Sequence, residues 1–136
     1  MHFAFNCGSG AALIVGNERY DDGQWHNVVI AKENTSGNLT IDGVLAAEGS
    51  SVGTAKTLNV FAPYYVGGID PVQLENARTN LKGLNQSFEG CIRNIYFNGR
   101  QIETFNNIGA VPCSQNTEPG VFFHKDGGFV RASKCS

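Results

Sequence analysis

The sequence predicts an all-β chain folded as an antiparallel β-sandwich, and three observations predict it. Apolar residues come in short runs, several with a period of two, and turn dipeptides such as Asp42-Gly43 and Asn98-Gly99 separate them. No helical period is sustained over three turns. The composition agrees: 17 glycines among 136 residues, with 41% hydrophobic and only 16% charged, suit a turn-rich β protein rather than a helical or disordered one. This length is one domain or part of one, enough to bury a core.

Phe3, Phe5 and Cys7 alternate with Ala4 and Asn6, giving a strand with one buried face, and Gly8-Ser9-Gly10 turns the chain into a second strand over Ala11 to Val15. Residues 17 to 23 are polar and end in Asp21-Asp22-Gly23, a loop. Trp25 to Lys32 resumes as a strand, with Trp25 as a core anchor beside Val28 and Ile30, and His26 on the other face. Asp42-Gly43, flanked by Leu39, Ile41, Val44 and Leu45, predicts a hairpin. Glu48 to Lys56 is small and polar, hence a connection. Leu58 to Phe61 and Tyr64 to Val66 are short strands around Pro63, which cannot donate to a ladder. Asp70 to Ser87 reads as a surface loop with at most a helical turn at Leu74 to Ala77. Cys91 to Phe97 is a strand leading into the Asn98-Gly99 turn, which suits type I′ geometry.

Several function classes fit poorly. Formal net charge is −2 and the ten basic residues are scattered, so no stripe marks a nucleic-acid surface. No apolar run is long enough to span a bilayer, and Met1-His2-Phe3 lacks the regions of a signal peptide, so a secreted parent carries its signal upstream. His2, His26 and His124 fall in three separate motifs outside any H-E-x-x-H or C-x-x-C arrangement. A Cys7 thiol with His26 as base is conceivable, but the intervening residues are explained as strand and turn. Asp21-Asp22-Gly23 lacks the alternating acidic positions of a calcium loop and reads as a turn. Three acceptor sequons, at Asn34, Asn38 and Asn85, each on or beside a turn, point to secretion. Four cysteines allow three pairings.

The run Phe88-Glu89-Gly90-Cys91-Ile92-Arg93-Asn94-Ile95-Tyr96-Phe97-Asn98-Gly99-Arg100 follows Tyr65-Val66-Gly67-Gly68. Asp22-Gly23-Gln24-Trp25-His26-Asn27-Val28 and Asn38-Leu39-Thr40-Ile41-Asp42-Gly43 lie upstream. In this order the motifs resemble a laminin G-like domain over about residues 3 to 113, with local spelling closest to laminin α chains. The resemblance implies a jelly-roll-like sandwich, a disulfide between Cys91 and Cys113, and a secreted, non-catalytic matrix and cell-adhesion module. Closing a loop of that size is worth roughly 3 kcal/mol. Cys7 and Cys135 are left over: a buried thiol, a bridge into other sequence, or a mutual bridge. A complete module has strands before Phe3, so residues 1–116 are expected to be the later two-thirds of one module. Residues 117–136 are then a linker and either the first strand of a following module or an ordinary tail.

Many modules of this family bind calcium at the rim of the sandwich. Carried over by position, the carbonyls of Cys7 and Thr57 and the side chain of Asn59 mark that rim, with an acidic ligand upstream of Met1. Calcium is therefore expected in a full-length module and weakly or not at all in this chain. The alternative role for Asn59 is a turn residue bonding its own backbone. The family's partners imply integrin- or dystroglycan-type cell-surface receptors, sulfated or acidic glycans, and neighbouring laminin G-like domains, with no nucleic acid and no membrane insertion. Arg19, Lys56, Arg78, Lys82 and Arg100, all on loops or turns, are the basic candidates; ordinary solvated charge is their other reading. Two other roles stand beside recognition: a structural spacer in a tandem array without a ligand, and a sandwich enzyme, which needs carboxylates facing across a groove.

Overall fold

The structure, a computed structural model, describes residues 1–59, 63–80, 86–103, 106–113, 121–123 and 129–132. Among the described residues every strand pair is antiparallel. The chain divides into two compact units, residues 1–59 with 76–84 and residues 60–75 with 85–136.

In the first unit, β1 (His2–Asn6) and β2 (Ala11–Val15) form a hairpin in which Phe5 faces Ala12 and Phe3 faces Ile14. Asn6 closes it, its Oδ1 accepting the amides of Gly8 (2.8 Å) and Gly10 (3.4 Å). Next come β3 (Val28–Glu33), β4 (Ser36–Ile41) and β5 (Val44–Ser50), a sheet with β4 in the middle and a register shift between Leu39 and Thr40. The β4–β5 turn is the expected one, with Asp42 and Gly43 at φ of 52° and 80°.

Strand β2 lies against β5 and β4. Phe5, Ala12 and Ile14 thereby meet Leu39 and Ile41 in one core, with Phe3, Cys7, Tyr20, Ala46 and Ala47 packed around it. Gly37 lets the sheets approach: a Cβ there would stand 2.6 Å from the Phe5 ring and 2.9 Å from the Phe3 ring.

Several expectations need correction. Trp25 is not a core anchor: it is 41% exposed, as are Val28 (39%) and Ile30 (53%), because β1 and β2 cover the β4–β5 side of the sheet and leave β3 at its edge. The strand there begins at Val28, not Trp25. Strand β5 runs on to Ser50, past the start of the expected connection. Of the expected strand at Leu58 to Phe61, Leu58 and Asn59 are irregular and the remainder lies outside the described residues.

The second unit contains β6 (Tyr64–Val66), α1 (Pro71–Asn80, shared with the first unit), β7 (Gly90–Ile92), β8 (Tyr96–Phe97) and β9 (Arg100–Gln101). It continues with β10 (Asn106–Ile108), β11 (Val111–Pro112), β12 (Val121–Phe123) and β13 (Phe129–Ala132). Strand β13 pairs with β10 and β6, β12 pairs with β11 and β7, and β8 with β9 makes the Asn98-Gly99 hairpin. The strand expected over Cys91 to Phe97 is broken at Arg93 to Ile95, where Asn94 takes a positive φ of 53°.

Within the loop expected over Asp70 to Ser87, helix α1 takes up Pro71–Asn80, including the helical turn expected at Leu74 to Ala77, and residues 81–85 lie outside the described residues. Asp70 caps it, its Oδ1 accepting the Val72 amide at 3.0 Å and its carbonyl the Gln73 amide at 2.8 Å, and Pro71 occupies the first helical position. No helix among the described residues is long and apolar enough to cross a membrane.

Candidate functional site

The most organised polar cluster lies where the loop after β2 meets the β4–β5 turn. His26 Nδ1 is 2.7 Å from Asp42 Oδ2 and its Nε2 is 3.0 Å from Asp22 Oδ1. Both carboxylates are themselves fixed: Asp42 Oδ1 accepts the Asn27 amide at 2.8 Å, and Asp22 Oδ1 the Gln24 amide at 2.9 Å. Tyr20 closes one side, edge-on to the imidazole at 5.1 Å. Only 17% of the His26 side chain is exposed.

Hydrogen bonds donated by the ring to the Asp42 and Asp22 carboxylates favour the imidazolium and raise the His26 pKa, and the same bonds hold both carboxyls below their ordinary range. The cluster pins the loop to the hairpin. His26 therefore does not simply face outward from a strand, and Asp22 is more than a turn residue. With both ring nitrogens on carboxylates, His26 is not poised as a base for Cys7. The two carboxylates also sit on opposite sides of the ring, and no group of three or more His, Cys, Asp or Glu among the described residues could hold a metal ion.

The calcium-rim residues occupy the ends of irregular segments. Cys7 is half-buried just after β1 and carries no disulfide, while Thr57 and Asn59 are exposed beyond β5. Together they offer two carbonyl oxygens and one neutral amide oxygen. Calcium takes six to eight oxygens with carboxylates among them, so this donor set does not make a site by itself.

The basic candidates are dispersed. Arg19 is spent on an exposed ion pair with Asp21. Lys56 is exposed, and its carbonyl accepts from Lys32 Nζ at 2.8 Å. Arg78 is in the last turn of α1, Arg100 is exposed on β9, and Lys82 lies outside the described residues. Lys32, which the sequence did not single out, also donates to the Asn34 carbonyl at 2.7 Å and sits 5.7 Å from the Phe5 ring centroid. Its charge caps the inner face at the open edge of β3.

Cys91 of β7 is bridged to Cys113, with Cα atoms 6.2 Å apart. Cys135 and the sequon residue Asn85 lie outside the described residues; Asn34 and Asn38 are exposed.

The family model for the laminin G domain matches residues 1–103. The chain belongs to the laminin G family. As a laminin G domain it is an antiparallel β-sandwich by class, and its relatives span several matrix proteins. It is 33% identical to laminin subunit alpha-4 of Mus musculus over 94% of this chain and 7% of that protein. Pikachurin of Homo sapiens is 38% identical over 66% of this chain and 8% of that protein. The basement membrane-specific heparan sulfate proteoglycan core protein of Mus musculus is 33% identical over 85% of this chain and 3% of that protein. The laminin G domain thus spans less than a tenth of the length of these relatives. No solved structure matches it.

Proposed function

We propose that this laminin G domain is a non-catalytic recognition module of a secreted matrix protein, engaging cell-surface receptors of integrin or dystroglycan type or acidic glycans. The observation that carries this reading is the family match over residues 1–103, in a chain whose relatives include laminin α subunits and basement-membrane proteoglycans. The Cys91–Cys113 bridge accords with an oxidising, extracellular location. Non-catalysis is supported by His26, whose ring nitrogens both serve a structural clamp. Calcium belongs to this proposal only in a longer module: Cys7, Thr57 and Asn59 need carboxylates from elsewhere to complete a shell.

The test is retention of the folded chain on immobilised heparin and on a dystroglycan-type glycoprotein, with and without calcium. Recognition predicts retention that weakens as salt screens the contacts, and that falls in Lys56→Ala or Arg100→Ala. No retention on either matrix would favour a spacer that packs against neighbouring modules. One observation favours that second reading: Val28, Ile30 and Val44 are apolar side chains at least 39% exposed, available for packing against a neighbour.

A further inference from the structure

The β3–β4–β5 sheet packs one face against β1 and β2 and leaves the other open. On the open face Asn38 stands in the middle strand, opposite Ala31 on one side and Glu48 on the other. Thr40 shares that face because side chains alternate along a strand, while Leu39 between them is fully buried on the opposite face. Val29 and Leu45, the cross-strand neighbours of Thr40, are 49% and 54% exposed. Two large apolar side chains therefore flank an acceptor triplet, Asn38-Leu39-Thr40, with no cover of their own.

Asn34 is placed differently. It sits in the β3–β4 turn at a φ of 52°, its carbonyl is held by Lys32, and the next carbonyl, of Thr35, accepts the Ser51 amide at 2.8 Å. That turn is drawn against the segment after β5, whereas Asn38 is exposed on the open face with the small side chain of Ala31 as its neighbour on β3.

We propose that Asn38 carries an N-linked oligosaccharide that lies over the open face of this sheet, shielding Val29 and Leu45 and withdrawing that face from receptor contact. The side-chain Nδ2 forms a bond to the anomeric carbon of a lipid-pyrophosphate-linked oligosaccharide. The bond from that carbon to the pyrophosphate oxygen breaks, the lipid pyrophosphate leaves with the electron pair, and the amide gives up one proton. No oxidation state changes. A bulky, solvated sugar beside β3 also blunts the open edge of that strand.

The proposal rests on passage through the secretory route, so the chain is recovered from the medium of animal cells, which fixes that passage independently. Enzymatic glycan release in heavy-oxygen water followed by peptide mass mapping is expected to yield labelled aspartate at residue 38. Intact mass is expected to lose one glycan in Asn38→Gln and to keep it in Asn34→Gln. Unmodified asparagine at residue 38 in the secreted, folded protein would overturn the proposal. Shielding is read separately with an apolar fluorescent dye: binding is expected to rise in Asn38→Gln at an unchanged unfolding midpoint, and equal dye binding would overturn the cover over Val29 and Leu45.

Discussion

Gly37 sets the spacing of the first unit through an atom it does not have. A methyl group there would reach 2.6 Å from Phe5, 2.9 Å from Phe3 and 3.0 Å from Ile14, and two of those three side chains are core residues with little room to yield. Gly37→Ala is expected to cost about 1–3 kcal/mol, as overpacking does, seen as a lower urea midpoint; an unchanged midpoint would mean the sheets are not in contact there. Around His26 the expected effect depends on pH. Its pKa is raised, so its stabilisation is complete below the unfolded value of about 6.5 and is lost as pH rises through the higher folded value. Asp22 and Asp42 have lowered pKa values, so theirs is complete above the unfolded carboxyl range of about 4 and is lost as pH falls through the folded values. The groups facing the imidazole are Asp22, Asp42 and the Tyr20 ring. Thermal midpoints of His26→Gln should fall furthest below wild type between the two limits and converge with it at alkaline pH; a constant offset at every pH would refute a titrating clamp. The buried face that carries Phe5 was legible in its alternation with Ala4 and Asn6. Trp25 was misread because alternation assigns a residue to a face without saying what covers that face. The clamp was missed because Asp42 is 16 residues from His26 and meets it only through strand register.

Among the elements, α1 teaches most. None of its residues is buried, so it has no apolar stripe for a periodicity argument to find. What the sequence did contain was Asp70-Pro71, a capping side chain followed by the residue favoured at the first helical position. Read as a helix start rather than as loop composition, that dipeptide locates the element. Asp70→Ala is expected to cost about 1 kcal/mol, measured as a loss in helical circular dichroism together with a lower urea midpoint; full retention of both would rule out the cap. The β4–β5 and β8–β9 hairpins were legible because each carries its own turn chemistry in two adjacent residues. The break at Arg93 to Ile95 was not, since a run rich in β-branched and aromatic residues looks continuous whether or not one asparagine inside it adopts positive φ.

For the whole molecule, the division between legible and hidden follows sequence distance. Neighbouring strands declare themselves through the turn that joins them, but the pairing of Tyr64 with Ala132 or of Gly90 with Phe123 leaves no local trace. Non-local pairings are closed late and at an entropic cost that no short motif records. The family was legible through motifs spread along the chain, whereas the arrangement of side chains at the candidate site was not. The Cys91–Cys113 bridge also limits how far the domain can lengthen when its ends are pulled apart. Under tension the residues between the two cysteines cannot pay out while the bridge is intact, because its ends are fixed 6.2 Å apart across a separation of 22 residues. At roughly 3.3–3.6 Å per extended residue, about 70 Å of contour length is withheld. Single-molecule pulling is expected to give that much extra extension once a reductant is added, and identical extensions would show the bridge to be absent. Thiol chemistry outside the cell would then set how far this domain lengthens under load.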